Sequence, residues 1–156
     1  MASWEKKIKS GGGKDLQPGE TLLGGALLNP PGMTGKMMAR GVGGAVGSAL
    51  HDKFGTDVDA EELSSDTGIA ARFLDKPVWM AVTPTRLLVW GHSTLSGKPK
   101  GLEFTLERSD VTSIDLDKQK TCHLVTMRFA DGSGRMFEVP KMMNDPVGFA
   151  AAISGP

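Results

Sequence analysis

Val78-Trp79-Met80-Ala81-Val82-Thr83-Pro84-Thr85-Arg86-Leu87-Leu88-Val89-Trp90 is two apolar runs on either side of a polar tetrad. Proline presets φ for a turn, so Thr83-Pro84-Thr85-Arg86 reads as a tight connection between two strands. Val78, Met80 and Val82 share one face of the first strand, and Trp79 and Ala81 share the other. In the second strand Leu87 and Val89 oppose Leu88 and Trp90. A strand apolar on both faces is covered on both. The hairpin therefore needs a core beneath it and a second layer above it. The expected second layer is the glycine-rich segment from Met33 to Phe54, in cis or exchanged between subunits, or else another subunit.

Downstream, short segments keep an apolar residue at every second position. Leu102, Phe104 and Leu106 form one such row, Val125, Met127 and Phe129 another, and Phe137 and Val139 a third. This is the pattern of strands with one face on a core and one on water. The segments are LEFTLE, VTSIDLD, CHLVTMRFA and, after a DGSG turn, RMFEV. Upstream, Pro18-Gly19 signals a turn before a first strand, Glu20 to Asn29, whose Gly24-Gly25 marks a bulge or a close backbone approach. At the other end Asp145 can cap a helix that begins at Pro146, with Pro146, Phe149, Ala150 and Ile153 on one face. The expected fold is mostly β in the α+β class. Seven strands make a bent sheet or partly open barrel, capped by a C-terminal helix, with a glycine-rich helical insertion between the first and second strands.

That insertion, residues 30–77, is the unusual part. Gly35, Ala39, Gly43 and Gly47 recur every four residues beside a row of Met38, Val42, Val46 and Leu50. On a helix this is a flat groove next to a ridge, the arrangement that lets backbones approach closely. Each interior glycine weakens a helix by about 1 kcal/mol relative to alanine. The segment is therefore a helix packed on protein, a membrane-surface helix with Lys36 and Arg40 near headgroups, or a flexible loop. Residues 55–77 follow as an acidic connector (Asp57, Asp59, Glu61, Glu62, Asp66), in which Gly68 to Leu74 suits a short strand or a turn of helix. Residues 1–17, charged and interrupted by Gly11-Gly12-Gly13, are expected to be a mobile arm. Trp4 and Ile8, four apart, are the one feature there that suits a docked helical turn. Residues 18–156 are then a single domain, which the length of 156 residues allows.

The local wording of three segments resembles bacterial pleckstrin-homology-like (PH-like) and GRAM-like domains. Residues 78–90 resemble their leucine–threonine–aspartate–lysine–arginine–leucine hairpin, with Thr83, Arg86 and Leu87 at matching positions. Leu106 to Asp115 (LERSDVTSID) resembles a strand pair of that family, and Asp131 to Lys141 (DGSGRMFEVPK) its last hairpin. The resemblance implies a non-catalytic binding or scaffold module. It departs at Pro30 to Pro77, where such domains have a short connection. Family members that bind phosphoinositides place basic residues on the first two strands and the loop between them. Thr21 to Asn29 carries none, so that specificity does not carry over.

Composition narrows the chemistry. Lys+Arg and Asp+Glu balance at 18 each, so no global field favours nucleic acid. The single cysteine, Cys122, excludes an internal disulfide and suits a reducing compartment. Ser10 to Lys14 lacks the spacing of a phosphate loop, and Gly41 to Gly47 that of a dinucleotide fingerprint. His51, His92 and His123 lack ligand spacing, so no metal or cofactor is expected. Cys122 and His123 point to opposite faces of a strand and cannot pair directly as nucleophile and base. The expectation is a cytoplasmic, non-enzymatic module that acts through protein contacts. It self-associates through Trp79, Trp90 and the glycine-rich row, as a homo-oligomer. The alternative is an adaptor on an anionic membrane, with residues 33–54 against lipid and Lys36, Arg40, Lys98 and Lys100 as anion contacts.

Overall fold

The computed structural model describes residues 3–31, 67–73, 76–120, 122–141 and 144–155. The strands β1 (Gly24–Leu28), β2 (Val78–Val82), β3 (Arg86–His92) and β4 (Pro99–Glu107) form one antiparallel sheet in that order. A second sheet holds β5 (Val111–Lys118), β6 (Cys122–Phe129) and β7 (Gly134–Pro140). The two meet where Asn29 and Glu138 exchange backbone hydrogen bonds, both 2.8 Å. The chain is thus mostly β, in the α+β class, and the described sheets do not close into a barrel. Residues 33–54 and the acidic cluster from Asp57 to Asp66 lie outside the described residues.

The period-two rows meet between the sheets. Val78, Met80 and Val82 of β2 and Leu87 and Val89 of β3 pack with Val125, Met127, Phe137 and Val139 of the second sheet. Helix α2 (Gly68–Arg72) delivers Phe73 into this core. Its ring lies edge-on to Phe104 and Phe137 at 5.0 and 5.2 Å, and stacks on Phe129 at 5.7 Å. Helix α3 (Pro146–Ser154) closes the core with Pro146, Phe149 and Ile153. Its start is the expected one: the Gly148 N–H donates to the Asp145 carboxylate at 3.0 Å. Its end is held by Arg108, which donates to the carbonyls of Ala152 and Gly155 at 2.6 and 2.7 Å and to that of Thr83 at 3.1 Å. A cation at a helix C-terminus meets the negative end of the dipole.

Two expectations are corrected. The first concerns the amino terminus. Residues 3–12 are no mobile arm but a helix, α1 (Ser3–Gly12), lying across the outer face of the first sheet. Trp4 and Ile8 are buried there with Leu27, Trp79, Ala81, Leu88 and Trp90. Among the described residues this helix is the second layer over the hairpin. Glycine makes the approach possible on both sides. A Cβ on Gly25 of β1 would sit 2.5 Å from Ile8 Cδ1, and one on Gly12 of α1 would sit 2.5 Å from the Trp90 ring. At each of these glycines a side chain of the facing element packs directly on the backbone.

The second correction concerns Leu102. The β3–β4 register shifts between Val89 and Trp90 and again between Trp90 and Gly91, so Leu102 pairs with Trp90. A one-residue slip exchanges the faces of a strand. Leu102 leaves the row of Phe104 and Leu106 and is 39% exposed.

Filling the space at Gly25 tests the docking of α1. Gly25→Val should push α1 off the sheet, at a cost of about 2 kcal/mol of stability from overpacking. The tryptophan emission should move to longer wavelength, and proteolysis should open residues 3–15 while the far-ultraviolet β signal persists. An emission maximum unchanged from wild type would place the tryptophans under some other cover.

Candidate anion-binding site

The chain leaving α1 is tied to the hairpin by a polar clamp. Gln17-Pro18-Gly19-Glu20 turns with Gly19 at φ 79° and a 2.9 Å bond from the Glu20 N–H to the Gln17 carbonyl. Proline at the second place and a positive-φ glycine at the third is the type II pattern. The turn aims the Glu20 carboxylate at Arg86, whose Nε and Nη2 donate to its two oxygens, both at 2.9 Å. Arg86 Nη2 also reaches the Asp15 carbonyl at 2.9 Å, and the Thr83 hydroxyl donates to Glu20 at 2.9 Å. Trp90 Nε1 donates to the Asp15 carboxylate at 2.8 Å. The Arg86 hydrogen bonds hold the Glu20 carboxyl down at about 2, against an ordinary 4.5.

With α1 fixed this way, its helical period sorts its charges. Trp4, Ile8 and Gly12 face the sheet. Glu5 and Lys9 pair with each other at 2.9 Å on one flank. Lys6, Lys7 and Ser10 occupy the other, beside the β3–β4 connection, where they and Lys98 line an open cleft of about 390 Å³. Gly97 in that connection has φ +70°, and Lys7 Nζ lies 3.2 Å from where its Cβ would be. Burial, and then the charge of Lys7, keeps the His92 imidazole below its usual range, so His92 is neutral at pH 7. Three lysines and one serine therefore line a common space, with no carboxylate-bearing residue among those lining it.

The residues singled out in the sequence divide as follows. Lys98 lines the cleft. Lys100 is exposed on β4 outside it. Trp79 and Trp90 are fully buried beneath α1. Self-association through these two indoles would need α1 lifted from them. Gly35, Lys36, Met38, Ala39, Arg40, Val42, Gly43, Val46 and Gly47 lie outside the described residues. Lys6, Lys7 and Ser10 carry no site signal of their own in the sequence, because a charged segment interrupted by glycines has the pattern of an arm. The Trp4–Ile8 spacing, set against a hairpin that lacked a cover, was the signal that could have found them.

Cys122 is buried, and burial pushes its thiol up to about 11. His123 is buried on the opposite face, its Nδ1 without a hydrogen-bond partner, and burial holds it neutral. Among the described residues no three His, Cys, Asp or Glu side chains converge as metal ligands, and no helix is long and apolar enough to cross a membrane.

No family model matches this chain. No curated protein is similar to it either.

The clamp has a pH signature. Because the folded carboxyl of Glu20 titrates near 2 and its free form near 4.5, its contribution is complete above pH 4.5 and fades as pH falls toward 2. Glu20→Gln should flatten that acid limb and lower stability at pH 7 by roughly 2–3 kcal/mol. Urea midpoints at pH 7 and pH 3 measure both. An acid limb of unchanged height in the variant would assign it to other carboxylates.

Proposed function

We propose that this chain is a non-catalytic, PH-like binding module whose ligand is anionic and sits in the cleft of Lys6, Lys7, Ser10 and Lys98. The observation that carries the reading is the clustering of like charge. In a protein with no net charge, three lysines from two segments some 90 residues apart share one open space without a carboxylate in its lining. Like charges brought together raise the local potential, and a multivalent anion relieves it. The PH-like assignment draws support from the seven described strands, split four and three, with a C-terminal helix closing the core.

Nucleic acid suits the cleft poorly. Single-strand sites combine a basic track with aromatic platforms, and every tryptophan of this chain is buried. A cytoplasmic setting fits the single thiol, which is buried and poorly ionised. A protein partner remains compatible with the module if its contact surface is acidic.

Inositol hexakisphosphate is a suitable soluble probe. It should bind saturably at low salt and weaken as salt rises, because exposed charges are screened over about 10 Å at 0.1 M. Trp4, Trp79 and Trp90 lie under the cleft wall, so intrinsic fluorescence reads the titration. Charge reversal at Lys6 and Lys98 together should weaken binding by at least about tenfold, each lysine near an anionic surface being worth about 1 kcal/mol. Equal affinity in wild type and the double variant would move the site elsewhere or remove it.

A further inference from the structure

The β3–β4 connection carries a feature that anion binding alone leaves unused. Leu95 at its tip is 99% exposed, the most exposed of the large apolar side chains described. Its neighbours Ser93, Thr94 and Ser96 are uncharged, and Lys98 follows three residues later. The loop holds Leu95 out by its own bonding. The Ser93 N–H donates to the Lys98 carbonyl at 3.0 Å, and the Gly97 N–H to the Ser93 carbonyl at 2.8 Å. Trp79 Nε1 donates to the Gly97 carbonyl at 3.2 Å and so fastens the loop base to the fully buried hairpin. A leucine presented to water on a hydrogen-bonded loop, beside a cleft of three lysines, matches the two demands of a bilayer surface. The apolar tip suits the acyl boundary and the ammonium groups suit anionic headgroups.

We propose that the Leu95 loop inserts into the surface of an anionic membrane while Lys6, Lys7 and Lys98 hold its headgroups. This rests on the anionic reading of the cleft and names the source of the anion. The cleft's own form agrees. It is open, it offers ammonium groups and a hydroxyl in place of a guanidinium fork, and its lysines are point charges tolerant of ligand geometry.

Vesicle sedimentation tests the proposal in two arms, with inositol hexakisphosphate titration run alongside. Wild type should pellet with vesicles of phosphatidylcholine and phosphatidylglycerol in equal parts, and stay in solution with phosphatidylcholine alone. Leu95→Ser should lose about tenfold or more in vesicle partitioning, the share expected of one leucine removed from an apolar surround, and should keep wild-type affinity for the soluble anion. Since Leu95 touches no core, its variant keeps the fold. Leu95→Trp should show a blue-shifted emission component on adding the mixed vesicles. Soluble-anion binding without vesicle binding would overturn the membrane as ligand and leave the anionic cleft standing, as for an acidic protein or a free phosphate. Vesicle binding unaffected by Leu95→Ser would overturn insertion. Absence of binding in both arms would overturn the cleft itself.

Discussion

The hairpin of β2 and β3 is apolar on both faces, and that constraint organises everything around it. Its inner face is satisfied by the second sheet and α3. Its outer face carries two indoles, each with some 150–250 Å² to hide from water, and a single sheet cannot hide them. The amino-terminal helix does so, although ten residues with glycine at the end would not hold a helix alone in water. Helix and hairpin are each incomplete without the other. Gly12 leaves room for the Trp90 ring and Gly25 of the neighbouring β1 for Ile8 and Trp4, and the Glu20–Arg86 pair ties the chain down just beyond the helix.

The cleft is a by-product of that docking. Once Trp4 and Ile8 face inward, a period of 3.6 residues leaves no freedom in where Lys6, Lys7 and Ser10 go. They fall on the flank beside the β3–β4 connection. The pairing of Glu5 with Lys9 on the far flank keeps the nearest helix carboxylate occupied. A chain of zero net charge thus acquires a local positive field through packing, without any basic run in the sequence longer than Lys6-Lys7.

How far the sequence could be read follows the range of each signal. Strands β2 to β7 and α3 were legible because alternation, turn residues and the Asp145-Pro146 start are local. The close approach at Gly24-Gly25 was legible too, and both glycines lie under helices, Gly24 against Ala152 and Gly25 against Ile8. Helix α1 was missed because a glycine tract has the same appearance in a tether and in a contact. Leu102 was misplaced because a register slip leaves no mark in a period-two count. Lys98 was noticed in its own loop, but its partners come from a segment some 90 residues earlier, and only the fold brings them together.

The strand connections also bear on how the chain assembles. Strands β2-β3-β4 and β5-β6-β7 are two meanders joined by short turns, and β1 alone must find a partner across a long stretch, from Leu28 to Val78. Pairings distant along the chain are the slow ones. β1 is therefore the late stitch, zipping onto one meander while Asn29 catches the other. Closing a longer loop costs little more, about 0.6 kcal/mol for each doubling. Added length between β1 and α2 would consequently cost little, whereas α2, which sets Phe73 into the core, and the turn between α1 and β1, which aims Glu20 at Arg86, cannot change length without losing a packed contact.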